Sequence, residues 1–407
     1  MPKLNVQDLN VAGRRVLVRV DFNVPLDGEG RITDESRILA SLPTIDWLLE
    51  RGARVVLCSH LGRPKGKADP AMSLRPVAKR LSDLLARPVA FLDECVGEKV
   101  EKTVAIMKDG DCLLLENVRF HAAEEKNDPV FAKKLAAYAE FFVNDAFGSA
   151  HRAHASTEGV THFVQKSAAG FLLQKELRYL GDELAHPARP FVAILGGAKV
   201  SDKIAVIESL LHKADALLIG GAMAYTFLRA QKIPTGDSLV EEDRLETSRR
   251  VLDLAAKMNK RIFLPVDHVV ARRVVTDRLD KKGKKIVEFQ DVQTTAVAAI
   301  DGGLCGVDIG PNTVRAYAAV VAEAKTVFWN GPMGIFENTA FAKGTFDMAQ
   351  AVAASGARSI VGGGDSVKAV NKSGLAGKIT FLSTGGGASL EFLEGKTLPG
   401  VAALHER

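Results

Sequence analysis

The sequence has few cysteines and no long apolar segment, and both absences narrow the class of protein. Its four cysteines, Cys58, Cys95, Cys112 and Cys305, are far apart and form no Cys-X-X-Cys pair, so neither a zinc site nor a disulfide framework is indicated. No uninterrupted apolar run approaches the ~20 residues that a membrane helix requires. The beginning, MPKLNVQDLN, lacks the apolar run of a signal peptide. We therefore expect a cytoplasmic protein that is not associated with a membrane.

Two common nucleotide-binding motifs are also missing. A Walker motif requires a glycine five positions before the glycine of its Gly-Lys pair, and Leu390 stands there before Gly395-Lys396-Thr397. Neither half has G-x-G-x-x-G after its first strand, which disfavours a dinucleotide oxidoreductase. The net charge of +5 is too small to indicate nucleic acid. The length of 407 residues predicts more than one domain, most simply two.

The first half alternates short apolar strands with helical patterns, which is typical of α/β proteins with parallel sheets. Strands are predicted at 15–20, 54–58, 112–115 and 141–143, and helices at 36–51, 74–85 and 130–138. Ligands of open α/β sheets bind outside the carboxyl ends of the strands. Those ends carry Asp21, Asn23, His60, Arg63, Arg119 and Arg152, and Arg37 stands at a helix start. Because guanidinium groups hold phosphate or carboxylate through two hydrogen bonds, we predict a site for a small polyanion. Arg19 has the simpler interpretation of a strand arginine paired with an acid, and His154 that of a structural histidine.

The second half has strands predicted at 191–195, 216–219, 326–329, 359–361 and 379–383, and these end in glycine-rich turns instead. These turns contain Gly196-Gly197, Gly220-Gly221, Asn330-Gly331-Pro332, Gly362-Gly363-Gly364 and Gly385-Gly386-Gly387. Glycine permits close approach to the backbone, and helix N-termini favour phosphate, so this half is predicted to bind a nucleotide. A single glycine-rich turn is explained equally well as an ordinary connection between a strand and a helix. Five such turns in one half are harder to explain in that way.

Several charged side chains accompany these turns. Lys199 and Lys203 bring cations to the first of them, where a helix is predicted over 201–211. Asp365 is a candidate ligand for phosphate-bound Mg²⁺, and Glu337 is a candidate acceptor for a ribose hydroxyl. Between the halves, the spacing of leucines from Leu172 predicts a helix that closes at Gly181 or at 186–187. The charged run 279–288 is interpreted as an exposed turn or hairpin.

Motifs along nearly the whole chain resemble those of phosphoglycerate kinases of the bacterial type. They are RVDFNVP (19–25), SHLGRP (59–64), LENVRF (115–120), NDAFG (144–148), AHRAH (150–154), LGGAK (195–199), WNGP (329–332), GGGDS (362–366) and STGGGAS (383–389). The resemblance implies an α/β fold of two Rossmann-like domains, each a parallel sheet flanked by helices, joined by an interdomain helix with a hinge. Ala222 and Met333 depart from the expected glycine and valine near the base pocket, which leaves the nucleotide preference open.

The resemblance also implies the domain limits and the reaction. Residues 1–172 would bind 3-phosphoglycerate, 173–188 would form the interdomain helix, 189–394 would bind the nucleotide, and the tail 395–407 would return to the first domain. The reaction implied is reversible phosphoryl transfer between 1,3-bisphosphoglycerate and ADP, giving 3-phosphoglycerate and ATP, with Mg²⁺ bound to the nucleotide. The enzyme would be a monomer, and its cleft would close by domain motion.

The implied site residues fall into three sets. The substrate set is Asp21, Phe22, Asn23, Arg37, His60, Leu61, Gly62, Arg63, Arg119 and Arg152. The nucleotide set is Gly197, Lys203, Gly221, Gly306, Pro332, Glu337, Gly363, Gly364, Asp365 and Ser366, with Asp365 also toward the metal. The catalytic set is Arg37, Lys199, Lys203, Gly364 and Gly387. The alternative from another class is a non-catalytic protein that binds a nucleotide or sugar phosphate.

Overall fold

The computed structural model describes residues 2–279 and 283–407, which form two compact units. The first unit comprises 2–178 together with 396–407, and the second comprises 179–395. The division falls inside the helical segment between the halves.

A six-stranded parallel sheet forms the centre of the first unit. Its strands are β1 Arg15–Val20, β2 Arg54–Cys58, β3 Val89–Phe91, β4 Cys112–Leu114, β5 Phe141–Asp145 and β6 Lys166–Ala169, in the order β3-β4-β2-β1-β5-β6. Val18 of β1 pairs with Leu57 on one side and with Val143 on the other. The chain therefore adds β2 on one side of β1 and later β5 on the other, so the switch point, where α/β sheets bind ligands, lies at the carboxyl ends of β1 and β5.

Helices cover this sheet and bury its apolar side chains. They are α1 Ser36–Glu50, α2 Arg75–Leu85, α3 Glu98–Ala105, α4 Ala122–Glu125, α5 Pro129–Ala136 and α6 Phe171–Glu176. Local sequence sets their ends: Asp128 caps α5 by accepting from the Phe131 N–H at 2.8 Å, and Pro129 occupies the first helical position, where its missing N–H costs nothing. Ile45 of α1 and Leu81 of α2 pack against Val18 and Leu57 in one core.

The second unit contains a parallel sheet and a smaller antiparallel one. Its strands are β7 Phe191–Leu195, β8 Ala216–Ile219, β9 Arg261–Phe263, β10 His268–Leu279, β11 Lys285–Thr294, β12 Cys305–Ile309, β13 Thr326–Asn330, β14 Arg358–Gly362 and β15 Phe381–Leu382. The parallel order is β15-β14-β13-β7-β8-β9, and the antiparallel order is β11-β10-β12. The switch point here lies between β7 and β13.

The helices of the second unit are α7 Glu183–Ala185, α8 Ile204–Lys213, α9 Met223–Ala230, α10 Leu245–Lys257, α11 Pro311–Ala322, α12 Lys343–Ala354, α13 Gly364–Lys372 and α14 Gly387–Leu393. The short α15, Pro399–Ala402, belongs to the first unit. Trp329 and Met348 lie in the core between the parallel sheet and its helices. Along the described ranges, no helix combines the length and apolar character needed to cross a membrane.

Residues 396–407 pack on the first unit through backbone and side-chain contacts. The Asn144 amide donates to the Gly400 carbonyl at 2.8 Å, and His405 Nδ1 lies 2.8 Å from Ser167 Oγ. The Leu4 N–H donates to the His405 carbonyl at 2.8 Å. This segment therefore completes the edge of the unit at β6.

The two parallel sheets confirm the predicted α/β fold, and the strands predicted at 15–20, 54–58, 191–195 and 216–219 have those bounds. The helices predicted at 36–51, 74–85 and 130–138 differ from the structure by one or two residues at their ends, since they are Ser36–Glu50, Arg75–Leu85 and Pro129–Ala136. The helix expected from 201 begins at Ile204, because Ser201 bonds through its N–H and hydroxyl to Glu241, at 3.0 and 2.6 Å. The helix expected to close at Gly181 or at 186–187 passes through a π-helical stretch, Leu177–Asp182, and ends at Ala185 with His186 as its C-cap, which agrees with the second alternative.

The charged run 279–288 coincides with the ends of two long strands. β10 reaches Leu279 and β11 begins at Lys285, and the two pair antiparallel. The middle of the predicted turn, residues 280–282, lies outside the described residues. Their antiparallel pairing agrees with the hairpin interpretation of this run, whereas the length of the two strands and the sheet that they form with β12 were not predicted.

Candidate functional site

Asp21, directly after β1, holds Arg37 at the start of α1. Arg37 donates to Asp21 Oδ2 at 2.5 Å, and the two side chains are 30% and 5% exposed. Burial alone would raise the pKa of Asp21, but the charges of Arg37 and Arg19 and the hydrogen bond from the Asn23 N–H outweigh it and lower this pKa. Asp21 is therefore a carboxylate that orients Arg37 while part of the guanidinium stays open to solvent.

His60, after β2, is buried and neutral beside two arginines. Burial is the largest cause that lowers its pKa well below the usual value, and the charges of Arg19 and Arg119 act in the same direction, against Asp21. Arg19 lies 3.1 Å from His60 Nδ1. Because a guanidinium can only donate, Nδ1 accepts and Nε2 carries the hydrogen. His60 thus offers an N–H donor without adding a charge.

The loop after β4 places Arg119 next to this cluster. The buried Asn117 amide donates to the Leu61 and Met72 carbonyls, at 2.7 and 3.0 Å, which fixes the loop. Arg119 is 6% exposed, and it donates to the Gly62 carbonyl at 3.2 Å. Its Nε makes no hydrogen bond and lies 3.7 Å from Glu125 Oε1. A buried guanidinium with a donor left over is suited to an anion.

The other substrate candidates occupy the same loops with differing exposure. Asn23 accepts from the Gly62 N–H at 2.9 Å, and Phe22 donates its N–H to Ser59 Oγ at 2.9 Å. Phe22 and Leu61 are buried, so their side chains belong to the packing and only their backbones are near the predicted site. Arg63 and Arg152 are exposed, and Arg152 contacts His151 at 3.0 Å.

A buried polar network lies beneath these residues, and it joins Arg19 and His154, for which the sequence offered structural roles, to Ser156 and Glu124, which the sequence did not single out. Arg19 donates to Ser156 Oγ at 2.9 Å, Ser156 donates to Glu124 Oε1 at 2.7 Å, and Glu124 lies 3.3 Å from His154 Nδ1. Burial would raise the pKa of Glu124, but His154, Arg19 and Ser156 hold it at about 2. The available signal was Arg19 itself, which stands among apolar residues inside the strand RVLVRV, whereas Arg15 stands at the first position of that strand.

In the second unit, Lys203 lies at the switch point between β7 and β13. It is 8% exposed, and its ammonium group donates to the Asn330 carbonyl at 3.1 Å and to the Asn330 side-chain oxygen. Burial lowers the pKa of Lys203 to about 8, against the opposing charges of Asp202 and Asp365. The charge of Lys203 is therefore only partly compensated, which favours the binding of an anion.

Two of the glycine turns require glycine for steric reasons. Gly221 has φ +65, and a Cβ there would lie 2.4 Å from the Gly197 nitrogen. Gly363 has φ +90, and a Cβ there would lie 2.7 Å from Asn330 Nδ2. The Gly331 N–H donates to the buried Ser366 hydroxyl at 2.5 Å. The ends of β7, β8, β13 and β14 are thereby packed closely together.

A cavity of about 690 Å³ opens beside these turns. Six of the ten predicted nucleotide residues line it, namely Gly197, Gly221, Gly306, Pro332, Glu337 and Asp365. Lys203, Gly363, Gly364 and Ser366 are not among its lining residues. Gly364 and Gly387 are the exposed first residues of α13 and α14, and Lys199 is exposed in the loop after β7. The volume is in the range of small-molecule sites.

Asp365 is suited to share a magnesium ion with a bound phosphate. Its side chain is 63% exposed, lies in the first turn of α13 and is 3.4 Å from Lys368. Gly363 occupies the N-cap position of this helix, so Asp365 does not serve as its N-cap. No three His, Cys, Asp or Glu residues gather into a metal site in 2–279 or 283–407. A single carboxylate with substrate phosphates is the usual arrangement for Mg²⁺.

Fold and geometry define the class: a two-domain α/β protein built on parallel sheets. The family profile described as Phosphoglycerate kinase matches residues 6–396. The phosphoglycerate kinases of Moorella thermoacetica and Chlorobaculum tepidum are 57% and 54% identical over 407 and 409 residues, covering 100% of this chain and of each relative.

Solved structures agree with these relatives. The structure of phosphoglycerate kinase from Coxiella burnetii is 42% identical and has a TM-score of 0.83 over 99% of this chain and 98% of that one. The crystal structure of phosphoglycerate kinase from Pyrococcus horikoshii is 32% identical, with a TM-score of 0.82 over 98% of both. The chain belongs to the phosphoglycerate kinase family. It is therefore an enzyme, a kinase of glycolysis.

Proposed function

We propose that this enzyme transfers a phosphoryl group reversibly between 1,3-bisphosphoglycerate and ADP, giving 3-phosphoglycerate and ATP. The observation that carries the proposal is the buried, partly compensated Lys203 beside a cavity bordered by glycine turns. A second cluster, of Arg37, Arg119 and His60, supplies the other anion site. Family membership supports the same substrates.

The first unit is proposed to hold phosphoglycerate. Arg37 and Arg119 supply guanidinium donors, His60 supplies a neutral N–H, and the exposed Arg63 and Arg152 add charge at the rim. Asp21 and Asn23 take part by fixing Arg37 and the Gly62 loop, at 2.5 and 2.9 Å. Bidentate guanidinium contacts suit both the phosphate and the carboxylate of this ligand.

The second unit is proposed to hold the nucleotide in its cavity, with the phosphates toward the turns at Gly197, Gly363 and Gly387. Helix starts and free N–H groups favour phosphate there. Glu337 is exposed on the cavity wall and is assigned to a ribose hydroxyl. Gly306 and Pro332 line the same cavity and are assigned to the nucleoside.

The chemistry that the chain must supply is mainly electrostatic. The attacking group is a carboxylate, which is already ionised near neutral pH, so no general base is needed. Lys203, Lys199 and Arg37 neutralise charge on the transferring group, and the N–H groups at Gly364 and Gly387 donate to its oxygens. Asp365 would hold Mg²⁺, which neutralises charge on the nucleotide phosphates when it is bound.

The limits proposed for the domains are those expected from the sequence, with the phosphoglycerate domain at 1–172, the linking helix at 173–188 and the nucleotide domain at 189–394. The tail 395–407 is assigned to the first domain. Because ligands held by separate domains must meet for transfer, we propose that the domains close during turnover. We also propose that the enzyme is a monomer and that it is located in the cytoplasm.

A coupled assay tests the proposal directly. Purified enzyme is mixed with 3-phosphoglycerate, ATP and Mg²⁺. The 1,3-bisphosphoglycerate that forms is reduced in a coupled reaction, and the rate is measured as the consumption of NADH. We expect turnover that requires all three components, and a loss of turnover in Lys203→Met with the fold retained in circular dichroism. Absence of turnover in the wild type would overturn the proposed reaction.

A further inference from the structure

The loop between β7 and α8, residues 196–203, carries two of the proposed catalytic lysines and holds them differently. Lys203 is buried, whereas Lys199 is exposed. The Gly197 N–H donates to the Pro332 carbonyl at 3.1 Å, which fixes the beginning of the loop. Among the described residues, no hydrogen bond or ion pair holds the Lys199 ammonium group. The position of this lysine therefore depends on how its backbone is held.

Glu241, from the segment between α9 and α10, binds the middle of this loop. Its carboxylate accepts from the Ser201 N–H at 3.0 Å and from the Ser201 hydroxyl at 2.6 Å. Burial alone would raise the pKa of Glu241, but the hydrogen bonds from Ser201 and the Val200 N–H outweigh it and lower this pKa. The positive charge of Lys199 acts in the same direction. One carboxylate thus holds two consecutive backbone N–H groups directly after Lys199.

The segment that carries Glu241 is anchored to the fold and borders the nucleotide cavity. The Glu241 N–H donates to the buried Thr226 hydroxyl of α9 at 3.1 Å, and the Arg244 N–H donates to the Glu241 carbonyl at 2.9 Å. Leu239 and Val240, directly before Glu241, line the cavity. Glu241 therefore ties the loop of the two lysines to the wall of the nucleotide site.

A role in the fold alone is the simpler alternative. Lys203, the N-cap residue of α8, makes no side-chain cap hydrogen bond, and a carboxylate near a helix start is stabilising in any protein. However, Ser201 is exposed, so water can satisfy its N–H and hydroxyl when the carboxylate is absent. The fold therefore gains little from Glu241, whereas the geometry beside Lys199 depends on it.

We propose that Glu241 is a positioning residue for phosphoryl transfer, which fixes the loop so that the Lys199 ammonium group faces the transferring group. The inference rests on the proposed function, because it requires Lys199 to act on that group. A lysine on a looser loop still carries its charge, but it spends less time in the productive geometry. Loss of Glu241 should therefore lower kcat and leave the KM for ATP nearly unchanged.

A double-mutant cycle with Lys199 tests this role. With saturating 3-phosphoglycerate and Mg²⁺, kcat and the KM for ATP are measured for the wild type, Glu241→Gln, Lys199→Met and the double variant. Glu241→Gln keeps the size of the side chain but loses its charge and one acceptor oxygen. Ser201→Ala removes only the hydroxyl donor. Glu242→Gln is the matched control, since it removes the same charge one residue further on, where the side chain is 65% exposed and lies 3.8 Å from Arg229.

We expect Glu241→Gln to lower kcat by about tenfold, as for the loss of one hydrogen bond to a charged group, with the KM for ATP within about twofold of the wild type. Ser201→Ala should lower kcat in the same direction by a smaller factor. In the Lys199→Met background, Glu241→Gln should change kcat by less than about twofold, because its effect passes through Lys199. Glu242→Gln should behave as the wild type.

The cycle distinguishes positioning from a folding defect. A smaller fraction of folded enzyme would lower kcat equally in both Lys199 backgrounds, and that result would overturn the inference, as would an unchanged kcat in Glu241→Gln. An equal fall in Glu242→Gln would reduce the effect to one of general charge and overturn it as well. A normal kcat in Lys199→Met would contradict the role of Lys199 in the proposed function, and a wild type without turnover would contradict the reaction itself; either result also removes this inference.

Discussion

Lys203 should give this enzyme an unusual dependence of stability on pH. Burial lowers the pKa of Lys203 from 10.5 to about 8, so the folded state penalises the charged form. The difference between these values corresponds to about 3 kcal/mol. The penalty is complete below pH ~8 and disappears as the pH rises to about 10.5, because the unfolded chain then also loses the proton. Over this window the free energy of unfolding should rise by about 1.4 kcal/mol per pH unit from this group.

The variant Lys203→Met isolates that contribution. At pH 7 it removes the penalty of about 3 kcal/mol, but it leaves two oxygens of Asn330 without this donor, at a cost of ~1–3 kcal/mol. The two effects nearly cancel, so the variant should be about as stable as the wild type near neutral pH. At higher pH only the cost remains, and the wild type should become the more stable protein.

The assay is urea unfolding of both proteins at several pH values from 7 to 10. The difference in unfolding free energy should shift by about 2–3 kcal/mol in favour of the wild type across this range. Lys199→Met is the control, since it removes the same charge from an exposed position of the same loop. A difference that stays constant within about 0.5 kcal/mol would refute the reasoning, as would an equal shift in the control.

Three further predictions concern the proposed roles. Arg37→Ala should lower kcat by ~10³-fold, and Arg37→Lys should recover only part of it; a raised KM with unchanged kcat would contradict this. Asp365→Asn should lose most of its activity at an unchanged melting temperature, and near-normal turnover in Mg²⁺ titrations would count against a metal role. In calorimetry, Arg63→Ala should weaken the binding of 3-phosphoglycerate and Glu337→Ala that of Mg-ADP, and the reverse pattern would refute the assignment of the ligands.

Strands were predictable where they are buried on both faces. The segments 15–20 and 191–195 are apolar runs, and Arg15 and Arg19 are their only polar residues. Each run has a turn before it and after it. Such runs fit the middle of a parallel sheet, and the strands have the expected bounds. The same reasoning fails for β10 and β11. Their residues are mostly exposed or half-buried, so neither alternation nor a continuous apolar run marks them.

The partners of the charged residues were not predictable, because they are set by contacts between distant segments. Arg19 meets Ser156 across the unit, and Lys203 meets Asn330 from another strand end. Sequence spacing also suggested that Lys203 lies inside a helix, whereas it precedes Ile204 as the N-cap residue. The residue types of the candidate site can thus be read from the motifs, but the degree of burial, and with it the pKa of Lys203, requires the fold.

The contribution of residues 396–407 to the first unit has a consequence for biosynthesis. The ribosome makes residues 2–178 first, yet the Gly400 carbonyl that pairs with Asn144 and the backbone partner of Leu4 at His405 emerge only after the whole of 179–395. The second unit has all of its residues as soon as position 395 has left the exit tunnel. The first unit is begun earlier, but its β6 edge lacks the contacts of residues 396–407 until these residues have been made. Completion of this protein on the ribosome therefore runs opposite to the usual N-terminal-first order.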